Sequence, residues 1–291
     1  MPVSVGLPFF NCEQTLVRAL RSIFAQTYRD WELILVDDGS TDASQRIAAA
    51  VRDPRVHFVS DGRNLGLVTR LNQITQLARG AYVCRMDGDD LAHPDRLAAQ
   101  IAYLEAHRNV DVVGTMAIAI DAEDRPLRLR AVRPGILGDP RAVLRRGGLI
   151  HPSIMARIEW LRRFPYDPGF PRAEDRELWV RASPSSRLEQ LARPLHFYRE
   201  VGSVNLGNYR RSSATERKIL CRYGPTLLGP VATGRSIVRS YLKETCYCML
   251  AAVGQAARLV ELRGAPLSNE QRAAAQQAIS AVLQTTVPGI D

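Results

Sequence analysis

Residues 81–90 read AYVCRMDGDD, a mostly apolar run that ends on three carboxylates, Asp87, Asp89 and Asp90, within four positions. Carboxylates this close repel one another and raise each other's pKa unless a cation or a set of donors sits among them. A positively charged group is therefore expected at the end of this segment. Three further apolar runs precede it: VSVGLPFF (3–10), WELILVDD (31–38) and VHFVS (56–60). All are short and rich in β-branched residues, as buried parallel strands are. Helical spacing fills the gaps between them. Asn11 is placed to cap a helix carrying Leu16, Leu20, Ile23 and Phe24, with Gln14 three residues on as in a capping box, and Ser40 or Thr41 is placed to cap the next. Strand and helix alternating four times predict an open, doubly wound α/β sheet with right-handed crossovers. Ligands of such sheets bind beyond the carboxyl ends of the strands. The polar residues fall at those ends: Pro8 to Asn11, Asp37 and Asp38, Asp61 to Asn64, and Asp87 to Asp90.

The composition of the 291 residues, 46% hydrophobic and 24% charged, is that of an ordinary globular chain and argues against disorder. MPVSVGLPFF has no basic leader or small-residue cleavage site and is expected to be a strand, not a secretory signal. The five cysteines are odd in number and form no CxxC, which argues against a disulfide framework or structural zinc site and for a reducing cytoplasm. The net charge of +9 is unevenly spread. Residues 1–120 hold 12 Arg/Lys against 14 Asp/Glu, 121–240 hold 23 against 12, and 241–291 hold 4 against 4. The basic middle third suits phosphates, an anionic bilayer surface or nucleic acid, or it reflects only an Arg-rich composition. Few aromatics interleave with the basic residues, so no nucleic-acid partner is expected. Neither GxGxxG nor GxxxxGK[ST] occurs in the first turn, so phosphate must be handled by another device, and a divalent cation held by carboxylates is the obvious one.

Beyond residue 110 the rhythm changes. VDVVGTMAIAI (110–120) is a further strand, and the basic RLRAVRPGILGDP (128–140) reads as a meander or loop. HPSIM (151–155) precedes AEDRELWVRAS (173–183), where Leu178, Trp179 and Ala182 mark one helix face and Glu174 and Asp175 occupy the first turn, which favours acids. From 206 onward the chain is helical. Cys246, Met249, Leu250, Val253, Ala257 and Val260 form one apolar stripe on a packed, dimerising or interfacial helix, too short to span a bilayer.

The chemistry follows from the acids. Asp87-x-Asp89 places two carboxylates within reach of one hard cation, and oxygen ligands select Mg²⁺ or Mn²⁺ with positions left open for substrate phosphates. A carboxylate at Asp37 or Asp38 can accept the imide N–H of uracil or thymine, or ribose hydroxyls, and DGSTD can also cap the following helix.

In this order, PFFNCEQTLVRALRSIFAQTY, VDDGSTD, NLGLVTRLNQ, YVCRMDGDD, HPSIM and AEDRELWVRAS resemble the family 2 glycosyltransferases over roughly residues 3–203. The resemblance implies a GT-A type doubly wound mixed sheet with a C-terminal helical extension. A Rossmann-like nucleotide-binding half (1–110) and an acceptor half (111–205) would form the GT-A domain, and 206–291 the helical tail. It implies an inverting, metal-dependent transfer of one sugar from a nucleotide-diphosphate donor, UDP or TDP favoured, to an acceptor hydroxyl. Asp37 and Asp38 look like base and ribose contacts, Asp87 and Asp89 like the metal and donor pair, and Asp175 like the general base. Pro8, Asn11, Asn64, Arg70, His151 and Glu174 join the donor-binding set. Where relatives often carry YRxH, this chain has Tyr198, Arg199, Glu200 and Val201, so that histidine is missing. A glycan or lipid-linked acceptor in surface polysaccharide assembly, peripheral contact with the inner face of the cytoplasmic membrane and a homodimer through the C-terminal helices complete the expectation. A sugar nucleotidyltransferase or a non-catalytic scaffold are the alternatives.

Overall fold

The computed structural model describes residues 3–131, 137–200, 206–252 and 264–291. Its frame is one mixed sheet. Strands β1 (Val3–Phe9), β2 (Trp31–Asp37), β3 (Val56–Ser60) and β4 (Tyr82–Arg85) run parallel in the order β3-β2-β1-β4. Antiparallel β8 (Met155–Arg157) then joins β4 to β6 (Val112–Ile120), and β7 (Pro126–Arg130) and β10 (Ala265–Pro266) extend the sheet. The long β9 (Leu188–Arg199) lies parallel to β6 and reaches the short β5 (Leu91–Ala92). The reading of 110–120 as a strand holds. The basic stretch at 128–140 opens in β7 instead of a loop, because β6 and β10 on either side supply its backbone partners.

Both faces of the sheet are covered, so its central strands are apolar on both sides. Along β2 the side chains alternate: Leu33 and Leu35 join a core with α1 (Leu16–Phe24) and α4 (Arg96–Ala106), while Ile34 and Val36 join another with α3 (Leu67–Leu77). The second core continues through α5 (Pro140–Arg146), α6 (Ile158–Arg163) and α7 (Glu174–Ala182). Helix α2 (Ser44–Ala50) flanks β3.

The expected helix caps are not used. Asn11 has a φ of 48° and its carboxamide oxygen accepts from the Thr41 amide at 2.8 Å, so α1 starts later, after Thr15, with no side-chain cap. Ser40 likewise accepts from the Asn11 amide at 3.0 Å, and α2 starts after Ala43. These residues stitch the loop after β1 to the loop after β2.

After residue 205, α8 (Leu206–Leu228) and α9 (Pro230–Ala252) form an antiparallel hairpin turned by Gly229 at φ 83°. Tyr209 stacks on Tyr247 at 3.8 Å, and Gly224 meets Thr233 so closely that a Cβ there would lie 2.7 Å from it. Of the expected apolar stripe, Cys246 and Met249 are exposed and Leu250 is half-buried, while Val253, Ala257 and Val260 lie outside the described residues. The last segment returns to the sheet. Ser268 and Gln271 form a capping box for α10 (Asn269–Leu283), whose Ala275 and Ile279 pack with Ile118, Ile120 and Phe197. Val287 enters the core beside α1.

Helix α7 is wedged in place by Trp179, which is wholly buried between Trp160 and Gly148; a Cβ on Gly148 would lie 2.6 Å from the indole. Trp179→Ala is expected to lower stability by about 3–5 kcal/mol, read as the shift of a urea unfolding curve; a change within error would show that this wedge does not hold the helix.

Candidate active site

Four strand ends meet along one edge, and their acids are treated differently by the fold. Asp37 accepts from the Ser40 amide at 3.0 Å and the Ser60 hydroxyl at 2.9 Å. Asp38 accepts from the amides of Leu65 (2.8 Å) and Gly66 (3.1 Å) and from Arg70 Nε (2.9 Å). Arg70 is fully buried, and its other N–H groups go to Asp61, Gln73 and the Arg63 carbonyl. All five guanidinium donors are thus committed. Arg70 therefore bears on a ligand only through Asp38 and the 61–66 loop it braces. Gly39, at φ 76°, lets that loop approach: a Cβ there would lie 2.8 Å from the backbone of Arg63 and Asn64. Asn64 and Asn11 stand exposed at the rim, and Pro8 is buried in β1 opposite Val36, beyond the end of β4 pairing at Gly6.

The cluster after β4 is the second group. One oxygen each of Asp87, Asp89 and Asp90 lie within 4.8 Å of one another. Gly88 between them is required by space, since a Cβ would lie 2.9 Å from Cys12 Sγ. Asp90 is buried, accepts from the Arg199 amide at 2.8 Å and pairs with His196 Nε2 at 2.8 Å. Asp87 meets Arg85 Nη2 at 2.7 Å. Asp89 has no side-chain partner among the described residues. Its side chain reaches solvent, yet the crowding of protein around it raises its pKa first, and the charges of Asp90 and Asp87 second. Burial and Asp87 raise Asp90 in the same way. A cluster with one unpaired carboxylate and raised proton affinities is what a hard divalent cation stabilises, and the residues present fit Mg²⁺ or Mn²⁺. Asp87 and Asp89 would be its direct ligands, with Asp90 held from behind by His196.

A cavity of about 910 Å³ joins this cluster to the acids of α7, with Arg85, Asp87, His151, Glu174, Asp175 and Tyr198 on its walls. The chain enters α7 through Ala173 at φ 52°, a left-handed conformation that costs a non-glycine residue energy and aims the first turn into the cavity. Glu174 is buried and its pKa is raised by that burial. Asp175 is half-buried and no other side chain among the described residues hydrogen-bonds to it; the Arg176 amide favours its charged form, but desolvation first and Glu174 second raise its pKa. His151 bonds Tyr166 Oη through Nε2 at 2.7 Å and has Nδ1 3.5 Å from Glu174. Burial and Arg85 push its pKa down to about 3, so the contact with Glu174 is not an ion pair near neutrality.

Arg85 was not singled out by the sequence pattern. It is buried, yet its Nε and Nη1 find no acceptor and it faces the cavity between Asp87 and Glu174. The signal was present in the run itself, as one guanidinium inside an otherwise apolar strand end. Tyr198, stacked under Arg130 at 4.7 Å, and the His196–Asp90 pair are also additions of the fold. Val201 lies outside the described residues; the histidine that reaches the acid cluster here is His196, from within β9.

The arrangement defines an α/β protein of the GT-A fold, with acids from successive strand ends around one cavity. The family model for glycosyl transferase family 2 matches residues 4–165, and the chain belongs to that family. A putative glycosyltransferase, EpsE, of Bacillus subtilis is 37% identical over 185 residues, 62% of this chain and 66% of EpsE. A putative colanic acid biosynthesis glycosyl transferase, WcaA, of Escherichia coli is 36% identical over 103 residues, 35% of this chain and 37% of WcaA. The chain thus spans less than two thirds of these relatives. Among solved structures, S. aureus TarS 1–349 in complex with UDP-GlcNAc has a TM-score of 0.62 at 18% identity, covering 83% of this chain and 72% of that one. The mannosyltransferase PcManGT from Pyrobaculum calidifontis in complex with GDP-Man and Mn²⁺ has a TM-score of 0.55 at 20% identity, covering 97% and 85%. At these identities the structures establish the fold alone. No helix among the described residues is long and apolar enough to cross a membrane.

The neutral His151 has a measurable consequence. The unfolded chain takes up that proton near 6.5 and the folded protein only near 3, so its contribution to stability is present above the first value and lost as pH falls toward the second. The slope is at most about 1.4 kcal/mol per pH unit. His151→Gln is expected to flatten the fall in urea-melt stability between pH 6.5 and 4; parallel curves for variant and wild type would contradict the assignment.

Proposed function

We propose that this glycosyltransferase moves one sugar per encounter, with inversion, from a UDP- or TDP-linked donor to an acceptor hydroxyl. The observation that carries the reading is the shared cavity, with Asp87 on one wall and Asp175 on another. An in-line displacement at an anomeric carbon needs a proton acceptor on one side and charge compensation for the leaving diphosphate on the other. Asp175 takes the proton of the acceptor hydroxyl as that oxygen bonds to the anomeric carbon and the bond to the diphosphate oxygen breaks. Its raised pKa makes it a stronger base than an ordinary aspartate, and with only the Arg176 amide donating to its carboxylate it keeps acceptor capacity for the substrate. Arg85 meets the diphosphate with its unpaired N–H groups. Mg²⁺ or Mn²⁺ held by Asp87 and Asp89 would supply the remaining charge neutralisation. Asp37 and Asp38, at the far end of the strand edge, receive the base and ribose, with Asn11, Asn64 and Pro8 around them and Arg70 bracing Asp38. Neutral His151 and Glu174 line the sugar side.

The polysaccharide setting is supported by the likeness to WcaA, whose description names colanic acid biosynthesis.

A thermal-shift panel of UDP, TDP, GDP and CMP sugars with and without Mn²⁺ tests donor and metal together, since stabilisation grows with ligand over its dissociation constant. A Mn²⁺-dependent shift by UDP or TDP sugars that Asp89→Ala removes is expected; a shift the variant retains would end the metal assignment. Asp175→Asn is expected to keep the shift and lower transfer by about 10²–10⁴-fold, and retained transfer would move the base elsewhere. Because Asp175 must be ionised to act and its pKa is raised, the acid limb of the rate profile should lie above the ordinary aspartate value of about 3.9. Glu174→Gln removes the neighbouring charge and should shift that limb to lower pH; an unmoved limb would separate Asp175 from the rate-controlling ionisation.

A further inference from the structure

A second chamber of about 1290 Å³, walled by α5, α8 and α9, adjoins the site cavity; the two share Arg130, Arg146, Tyr198, Ser212 and Glu216. Nine basic side chains line this chamber against two acidic ones. Both acids are already committed, Glu200 to Arg128 and Arg130, and Glu216 to Arg176. Arg145, Arg146, Arg235, Arg239 and Lys243 have no partner among the described residues. The first two stand in the last turn of α5, where a helix dipole favours cations. That explanation does not reach the other three. They form one row along the middle of α9 at i, i+4 and i+8, where like charges destabilise a helix and no carboxylate offsets them. Cations from two elements thus face one volume whose only lining carboxylates among the described residues are already paired.

We propose that this chamber binds the acceptor through a phosphate group that it carries near the hydroxyl to be glycosylated. The inference rests on the transferase reading and names the substrate class of the same site. A phosphate presents three oxygens that more than one guanidinium can grip, and arginine forks match it better than they match a neutral sugar. Adjacency of the two cavities puts the held phosphate beside the hydroxyl that faces Asp175. Along the neighbouring face of α9, Val231, Val238, Leu242 and Met249 are 58–69% exposed. An alkyl chain attached to the phosphate would lie there, whereas a phosphodiester polymer would not need it.

The test measures binding calorimetrically in EDTA, which keeps a metal at Asp87 and Asp89 from capturing the probe. Inorganic pyrophosphate, geranyl diphosphate and trigalacturonate are the probes. Wild-type protein is expected to bind the diphosphates in a salt-sensitive manner, and Arg235→Ala/Arg239→Ala/Lys243→Ala to bind them at least about tenfold more weakly. Arg145→Ala/Arg146→Ala, on the opposite wall, should weaken them as well. Tighter binding of geranyl diphosphate than pyrophosphate identifies a lipid source of the phosphate, and equal binding a soluble or polymeric one. Trigalacturonate binding as well as pyrophosphate, or undiminished pyrophosphate binding by both variants, overturns the proposal. The Mn²⁺-dependent shift by the donor sugar should survive in Arg235→Ala/Arg239→Ala/Lys243→Ala, whose residues lie outside the site cavity. Its absence from the wild type would count against the transferase reading instead, so the two failures are distinguishable.

Discussion

A single buried guanidinium holds the acid-bearing edge of the sheet together. Arg96, at the start of α4, is fully buried and donates to the carbonyls of Arg85 and Ile154, to Gln100, to Met86 Sδ and to His196 Nδ1. It thereby fastens the ends of β4 and β9 and the residue leading into β8 to one another. A charge this deep is costly unless every donor is met. With Nδ1 accepting from Arg96, the neutral His196 donates from Nε2 to Asp90, which fixes the tautomer and carries compensation from a carboxylate to the buried cation. Asp90 is consequently unavailable to a ligand, while its charge keeps Asp89 poised for a cation.

The same edge separates its functions by electrostatics. At the β2 end, Asp38 is held by two amides and Arg70, so it is rigid and ready to present its remaining acceptor capacity. At the β4 end Asp87 and Asp90 are paired and Asp89 is left without a side-chain partner among the described residues. At α7 the acids are desolvated, which raises their affinity for a proton. Past them, the chamber against the helical hairpin is strongly basic. The two adjoining cavities thus run from a carboxylate cluster, past the desolvated acids of α7, to a wall of cations.

Much of this was legible in the chain because the signals are local. Apolar runs of strand length, each ending in acids, predict both the parallel sheet and the edge where ligands gather, whereas the order β3-β2-β1-β4 is set by the tertiary structure. The caps were misread because Asn11, Ser40 and Thr41 satisfy each other across two loops, a pairing invisible at either helix start. Arg70 looked like a ligand contact, and its distance from Asp38 in the sequence, 32 residues, hides that all its donors are spent inside the protein. Arg85 escaped notice because a lone arginine in a strand shows its unpaired N–H groups only once its neighbours are placed.

The sequence by itself determined the alternation of elements, the acids at the strand ends and the family, since these depend on period, residue type and motif order. Only the tertiary structure decided which acids are free. Asp37, Asp38 and Asp90 are engaged by donors that arrive from distant segments, whereas no other side chain among the described residues hydrogen-bonds to Asp89 or Asp175. It also decided that the basic middle third becomes the wall of a chamber, since α5 and the α8–α9 hairpin face each other across it. Charge is a property of composition, but a field is a property of arrangement.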